Sequence, residues 1–453
     1  MADETLTAYR AAHPGSAELF NRQLAVVPGG TTHRSRHRTP FPLFIAETAG
    51  ARKRTVDGAW LIDYWMGHGA LIFGHADRAT VEAVSDASTR GFHAGGETEA
   101  GVTWAERICE LVPSAEQVRF TSTGGEATQL AVRLARVATG RELVVQFRHG
   151  FHGWSDQFAF ASGVDTTRPP GVPRGLRETV RVLDYNDLGQ VRRFVGAVGG
   201  VAAIILEPAG AFNDTVPVDP TFLEGLRDLA DATGTILIFD EVVTGFRYSP
   251  GGAQQHFGVT PDITTLGKIV SGGLPAGAVA GHSRLLRPLA EPGAGHIPHS
   301  GTWNANPVTA AAGCATLGRI DEEVTARMNR AAERLRAGFR DVMRRYEIDG
   351  AAYGRSSIVK LFFRSPPGTL HEDHARPAHD ADTLMAGTPG FDQAFERAMV
   401  LEGVDWKGTT GFVSAAHGPE EVVATVDAFE RALARTVAAV GRPGAGALSD
   451  GAE

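Results

Sequence analysis

The sequence predicts an α/β fold in which helices cover a mostly parallel sheet, and three short runs carry that expectation. Thr235 to Phe239 is β-branched and apolar, starts after Gly234 and ends in two acids, Asp240 and Glu241. Ile263 to Leu266 ends at Gly267-Lys268, and VAAIILEP, which starts at Val201, ends in Glu207-Pro208. Apolar runs of this kind, without polar alternation, suit strands buried on both faces of a parallel sheet. Ligands of open α/β sheets bind in the crevice at the carboxyl ends of the strands. Asp240, Glu207 and Lys268 all fall at such ends.

In chain order, Ser16 to Val27 reads as a helix closed by Pro28-Gly29-Gly30. TTHRSRHRTPFP then concentrates Arg34, Arg36 and Arg38, a cluster expected to be largely solvated. Phe44 to Tyr64 has the pattern of a β-meander turning at Asp57-Gly58. In WMGHGALIFGH, His68 and His75 match no metal-ligand spacing. Val118 to Thr121 reads as a strand, Thr123-Gly124-Gly125 as a turn and Glu126 to Thr139 as a helix stopped by Gly140. Leu143 to Phe147 is a further strand. Beyond it, Asp321 to Tyr346 reads as a long charged helix, Ile358 to Phe363 as a strand, and Asp392 to Leu401 and Pro419 to Ala439 as helices. His371, His374 and His379 lie in a Pro/Gly-rich polar stretch with the composition of a mobile loop.

With 453 residues, 43% apolar and 21% charged, the chain has the composition of a soluble protein large enough for two cores. A formal charge of −8, with lysine and arginine spread along the chain, argues against nucleic acid or an anionic membrane as main partner. Cys109 and Cys314 give no disulfide framework. There is no run of about 18 apolar residues, and MADETLTAYR lacks the order of a signal peptide, so a cytoplasmic location is expected.

A lysine set among Gly267, Gly272 and Gly273 has room around its amine for another molecule. A buried acid with such a lysine is what pyridoxal 5'-phosphate chemistry needs: the amine forms a Schiff base, and the acid keeps the pyridine nitrogen protonated. The same two residues also fit a turn cap and a solvated lysine. The turn Thr123-Gly124-Gly125, opening a helix, offers backbone N–H groups and the positive end of the helix dipole to an anion such as phosphate. Many turns of this shape serve packing only.

The wording of these stretches narrows the choice. FDEVVTGFR, PDITTLGK and GGLPAGA resemble the class III aminotransferases, particularly the glutamate-1-semialdehyde aminomutase branch, and the likeness runs from about Pro28 to His417. GHGALIFGH, WAERI and LEGVD also look like the D-phenylglycine aminotransferase type, which hints at an aryl-bearing amino acid. The resemblance implies a fold-type-I pyridoxal phosphate enzyme: a large domain (67–320) with a mostly parallel seven-stranded sheet, and a smaller α+β domain built from 1–66 and 321–440. The tail 441–453 is expected to be disordered.

The resemblance also implies roles. Lys268 is the Schiff-base residue and Asp240 the electron-sink partner. Thr123, Gly124 and Gly125 seat the phosphate, although STGGEAT stands where the family commonly has NSGTEA, so a hydroxyl is lost at Gly125. Phe151 stacks on the cofactor ring with His152 beside it, Glu207 lies nearby, and Val242 is a further cofactor contact. Thr302 donates to the phosphate of the neighbouring subunit, which implies a homodimer. Arg36 occupies the arginine place of the PGG-x5-R pattern and is a candidate substrate-carboxylate ligand. Phe212 and Thr409 stand where aminomutases carry asparagine and glutamate, and are candidate substrate contacts. Transamination between an amino acid and a 2-oxo acid is the expected reaction. The alternatives are a glutamate-1-semialdehyde 2,1-aminomutase, an epimerase or racemase on the same site, and a cofactor-free scaffold. No metal is expected.

Overall fold

The structure is a computed structural model that describes residues 3–162, 167, 169–293, 295–363 and 381–443. The expected loop histidines His371, His374 and His379, and the tail from 444 onward, lie outside the described residues. The chain divides into two compact units. One comprises Met1–Met66, Phe73–Asp77 and the chain from Arg327; the other comprises Gly67–Ile72 and Arg78–Ala326. Two boundaries thus differ from the expected ones: Phe73–Asp77 goes with the first unit, where Gly50 bridges His75, and the second unit runs on to Ala326.

The second unit holds a seven-stranded sheet of β1 (Gln117–Thr121), β2 (Leu143–Phe147), β3 (Val180–Leu183), β4 (Val201–Leu206), β5 (Ile236–Asp240), β6 (Ile263–Gly267) and β7 (Gly277–Gly281). Their order is β1-β7-β6-β5-β4-β2-β3. Within this sheet β7 runs antiparallel to both neighbours, β6 and β1, and the other pairings are parallel. Strands β4, β5 and β6 are buried at every position, as their unbroken apolar runs require. The helix Gly124–Thr139 buries Leu130, Ala131, Leu134 and Ala135 in one cluster with Val144, Ala203, Ile205 and Ile238 of the sheet. It starts two residues earlier than expected. Thr123 caps it, accepting from Glu126 N at 3.2 Å, while the Glu126 carboxylate reaches back to Ser122 N at 2.9 Å.

The first unit has two smaller sheets. Ile45–Ala49, Arg52–Thr55 and Trp60–Asp63 form the expected meander, joined by Val404–Asp405 in parallel with Trp60–Asp63. Ala351–Tyr353, Ile358–Phe362 and Thr410–Phe412 form an antiparallel trio. A helix at Glu4–Ala12, capped by Asp3, was not expected from the sequence, and the next one spans Pro14–Leu24. Among the described residues, no helix is long and apolar enough to cross a membrane.

The arginine cluster departs from the expected solvated surface at Arg38, which is buried. Its guanidinium donates to Glu396 at 2.7 Å and to Asp405 at 2.5 Å. Asp405 also pairs with Lys53, which reaches Asp63 at 3.0 Å; Lys407 pairs with Glu396 and His75 with Asp63, each at 2.7 Å. The result is a buried chain of alternating charge. Burial pushes Asp63, Glu396 and Asp405 upward, but the neighbouring cations overcome this and hold all three below the ordinary carboxylate range. Because these values are depressed in the folded state, their stabilisation is complete above the unfolded values of 3.8 and 4.5 and is lost as pH falls through the depressed folded ones. Removing one partner of a buried pair costs about 3–5 kcal/mol. Arg38→Met, which strands Glu396 and Asp405, is therefore expected to lower the urea unfolding free energy by that order at pH 7 and to flatten its decline below about pH 4. Equal stability of the variant and the parent at pH 7 would contradict this account.

Candidate active site

Three carboxyl-terminal strand ends of the large sheet bring the candidate residues together. Asp240 closes β5 and is buried, at 4% exposure. Its Oδ2 meets His152 Nδ1 at 2.7 Å, and its Oδ1 accepts from Val242 N at 3.1 Å and from the Thr265 hydroxyl of β6 at 3.2 Å. A buried carboxylate needs such partners, since an uncompensated charge away from water is expensive. Both oxygens are held, so the direction in which the carboxylate points is fixed.

Lys268 follows β6 directly, with a left-handed backbone at φ 49. Among the described residues its amine makes no hydrogen bond. Burial pushes its pKa below the ordinary lysine value; Asp240 and Glu207 pull it back, and Arg247 pushes it down further. Arg247 itself, 1% exposed, is lowered to about 10 by burial and donates to the carbonyl of Gly69. Sequence reasoning missed this arginine, although it ends the FDEVVTGFR motif.

Glu207 follows β4 and is pushed upward by burial, against the pull of His152 and of backbone N–H groups. Its Oε1 accepts from Phe151 N and Phe212 N, and its Oε2 from Asn213 N, all at 3.0 Å. Phe151, which the sequence allowed as either a stacking face or core, is 48% exposed, so it is not a core residue. Phe212 is 44% exposed. His152 is buried, and its Nε2 has no partner among the described residues.

The turn before the helix Gly124–Thr139 is kept narrow by close approaches. A Cβ on Gly124 would lie 2.8 and 2.9 Å from the Val242 methyls, and one on Gly153, at φ +98, would lie 2.9 Å from Gly125 Cα. Val242 also borders Gly267, the residue before Lys268, where a Cβ would meet its Cγ1 at 3.1 Å. The Thr128 hydroxyl contacts the carbonyl oxygens of Gly125 at 2.9 Å and His152 at 2.6 Å, tying the turn to the histidine loop. Thr128, Thr265 and Val242's packing role are contacts that only the fold reveals. Nearby, Ser122 donates to Asn304 at 3.2 Å, and the Thr302 carbonyl meets the His93 ring at 2.5 Å.

A small-residue turn at a helix start, a lysine amine withdrawn from water, a fixed acid and an exposed phenyl fit the cofactor that the resemblance implies. The remaining candidates lie in the other unit. Arg36 is exposed and donates to Thr32 Oγ1 at 2.7 Å, and Thr409 accepts from Leu361 N at 2.8 Å through its carbonyl. His75 is a structural partner of Asp63. Glu241, beside Asp240, faces away from this cluster: it accepts from Gln254 N, Gln254 Nε2 and Thr244 Oγ1, and holds the start of the helix Gly252–Phe257.

The packing around Val242 makes a prediction that does not depend on turnover. Gly124→Ala forces a methyl onto Val242 and is expected to cost about 1–3 kcal/mol as overpacking. Gly125→Ala, whose Cβ would sit 3.6 Å from Gly153 Cα in ordinary contact, is expected to leave the melting temperature nearly unchanged. The opposite ranking in a thermal melt would show that Val242 does not set the width of the turn.

Comparison with known proteins shows likeness over most of the chain. The family model for aminotransferase class-III matches residues 33–352. A glutamate-1-semialdehyde 2,1-aminomutase of Methanothermobacter thermautotrophicus is 38% identical over 422 residues, covering 92% of this chain and 98% of that protein. A transaminase solved with PLP bound is 29% identical with a TM-score of 0.84, covering 94% of this chain and 98% of the other. A beta-phenylalanine aminotransferase from Variovorax paradoxus is 27% identical with a TM-score of 0.87, covering 97% and 98%.

Proposed function

The chain belongs to the class-III aminotransferase family, whose members are pyridoxal phosphate enzymes, and within it we propose that it moves an amino group between separate molecules, an amino acid and a 2-oxo acid. The observation that carries the pyridoxal phosphate part of this reading is the Lys268 amine, withdrawn from water, without a hydrogen bond among the described residues, and under the influence of Asp240 and Glu207. When bound, the cofactor supplies an electron sink for the carbanion formed at the substrate Cα. The chain's own residues do the rest.

Lys268 would hold the cofactor through its amine and, with that amine free, would carry the proton to and from the substrate Cα. Burial favours its neutral form, the form that attacks and accepts protons. Asp240 would keep the ring nitrogen protonated, and His152 fixes the Asp240 carboxylate for that role. Thr123, Gly124 and Gly125 would hold the phosphate, and Phe151 and Val242 would make apolar contacts to the cofactor ring. Arg36 is proposed to grip the substrate carboxylate bidentately, with Phe212 and Thr409 as further substrate contacts. A cytoplasmic location is proposed, in keeping with small amino-acid and oxo-acid substrates.

Intermolecular transfer is preferred because Phe212 and Thr409 remove the amide and the acid that the aminomutase pattern carries. A second reading, glutamate-1-semialdehyde aminomutase, is favoured by the names of the sequence relatives. Incubation with glutamate-1-semialdehyde alone, and separately with amino acids plus an oxo acid, separates the two. Transfer in the second assay with little 5-aminolevulinate in the first is expected; the reverse outcome makes the aminomutase reading the right one. Borohydride reduction of the yellow protein is expected to fix the cofactor on the peptide of Lys268, and Lys268→Ala to abolish turnover. Label on another lysine would refute the assignment.

A homodimer is proposed, with Thr302 completing the partner's phosphate site. Trp154, Trp303 and Phe92 support it: at 92%, 61% and 69% exposure they are large apolar groups left open to water on the large unit. Sedimentation is expected to give a dimer that loses cofactor on dissociation. A cofactor-loaded, active monomer would overturn this.

A further inference from the structure

The segment Gly67–Ile72, which belongs to the large unit, opens in a costly conformation. Met66, Gly67, His68 and Gly69 are four consecutive residues in the left-handed region, with φ of 44, 60, 62 and 81. Residues other than glycine adopt it singly and rarely, and such strain persists only where the surroundings hold it. One holder is Arg247. Its guanidinium, 1% exposed, donates to the Gly69 carbonyl across 178 positions of sequence.

Two residues after Gly69, Leu71 rests on the loop that follows Lys268. A Cβ on Gly273 would lie 2.5 Å from Leu71 Cδ2, so the two segments touch with no room for a side chain between them. Gly272 is as tightly placed, since a Cβ there would lie 2.3 Å from Thr316 Oγ1. The Val270 carbonyl accepts from Trp104 Nε1 at 2.9 Å. Trp104, Thr316 and Leu71 thus brace the lysine loop, and Leu71 is the brace carried by the segment that Arg247 holds. The same guanidinium also acts on the lysine amine, in opposition to Asp240 and Glu207.

We infer that Arg247 is a positioning residue for Lys268: through Gly69 it seats the segment that sets Leu71 against the lysine loop, and it places a fixed positive charge in the surroundings of the amine. This rests on the Schiff-base role proposed above for Lys268. The two fail separately, because the borohydride label reads that role and hydrogen exchange reads the seat.

In the cofactor-loaded protein, the absorbance of the cofactor titrates with the nitrogen it shares with Lys268. A nearby cation disfavours protonation of that nitrogen, so removing the cation raises the midpoint. Arg247→Gln, which removes the charge, is expected to raise it by about one pH unit, and Arg247→Lys, which keeps the charge, to leave it at the parent's value. Both variants lose the guanidinium that reaches the Gly69 carbonyl, and hydrogen exchange at residues 67–72 is expected to quicken about tenfold in each. Leu71→Ala keeps the charge and the Gly69 bond; it is expected to quicken exchange at residues 269–274 with the midpoint unchanged. A parent-like midpoint in Arg247→Gln, or an equal rise in Arg247→Gln and Arg247→Lys, overturns the charge role. Parent-like exchange at 269–274 in Leu71→Ala overturns the seat, and does so even where Arg247→Gln fails to fold.

Discussion

The hydrogen bond from His152 to Asp240 is the constraint from which the rest of the large unit's site follows. A carboxylate at 4% exposure must be compensated, and Asp240 is compensated on both oxygens by groups from three different segments: the histidine loop, its own turn and β6. Each of those segments carries another working residue. The histidine loop carries Phe151, the turn carries Val242, and β6 leads into Lys268. Satisfying one buried charge therefore also brings together the aromatic face, the apolar contact and the amine, without a separate device for each.

Asp240 and Glu241 are adjacent acids with divergent fates, and strand geometry explains the difference. Successive side chains at the end of a strand point to opposite sides. Asp240 faces the crevice and His152. Glu241 faces the start of the helix Gly252–Phe257, where Ala253 N, Gln254 N and Gln254 Nε2 meet its carboxylate and a Cβ on Gly252 would collide with it. Burial pushes Glu241 upward and its four donors pull it back, so it anchors the loop while Asp240 is left for chemistry.

Much of this was legible in the sequence because the signals were local. The unbroken runs ending at Asp240, Glu207 and Gly267-Lys268 are strands of one sheet, and the small-residue turn before Glu126 opens a helix. What could not be read depends on contacts distant in sequence. Arg38 is indistinguishable from Arg34 and Arg36 by composition, and only Glu396 and Asp405, more than 350 positions away, make it a buried ion-pair residue. The need for glycine at 124 and 153 has the same origin, since the obstructing groups are Val242 and Gly125. The helix Glu4–Ala12 is not legible in the sequence because its cap, Asp3, precedes a segment with little apolar periodicity.

The electrostatics of Lys268 and Glu207 complete the picture. Burial drives the lysine down and the glutamate up, so each is biased toward its neutral form by the same loss of water. Asp240 and Glu207 pull the lysine back toward its charged form, whereas the glutamate is pulled back by His152 and the N–H groups of Phe151 and Asn213 and is pushed further up by Asp240. An amine held fully charged would be a poor nucleophile and a poor base; one left solvated would titrate near its ordinary value, too high to give up a proton readily at neutral pH. A lysine placed on a left-handed turn at the end of a buried strand, with two acids and Arg247 acting on it, lies between those extremes. The strain at φ 49 is thus the conformational cost of placing an amine where neither water nor a single permanent ion pair decides its charge.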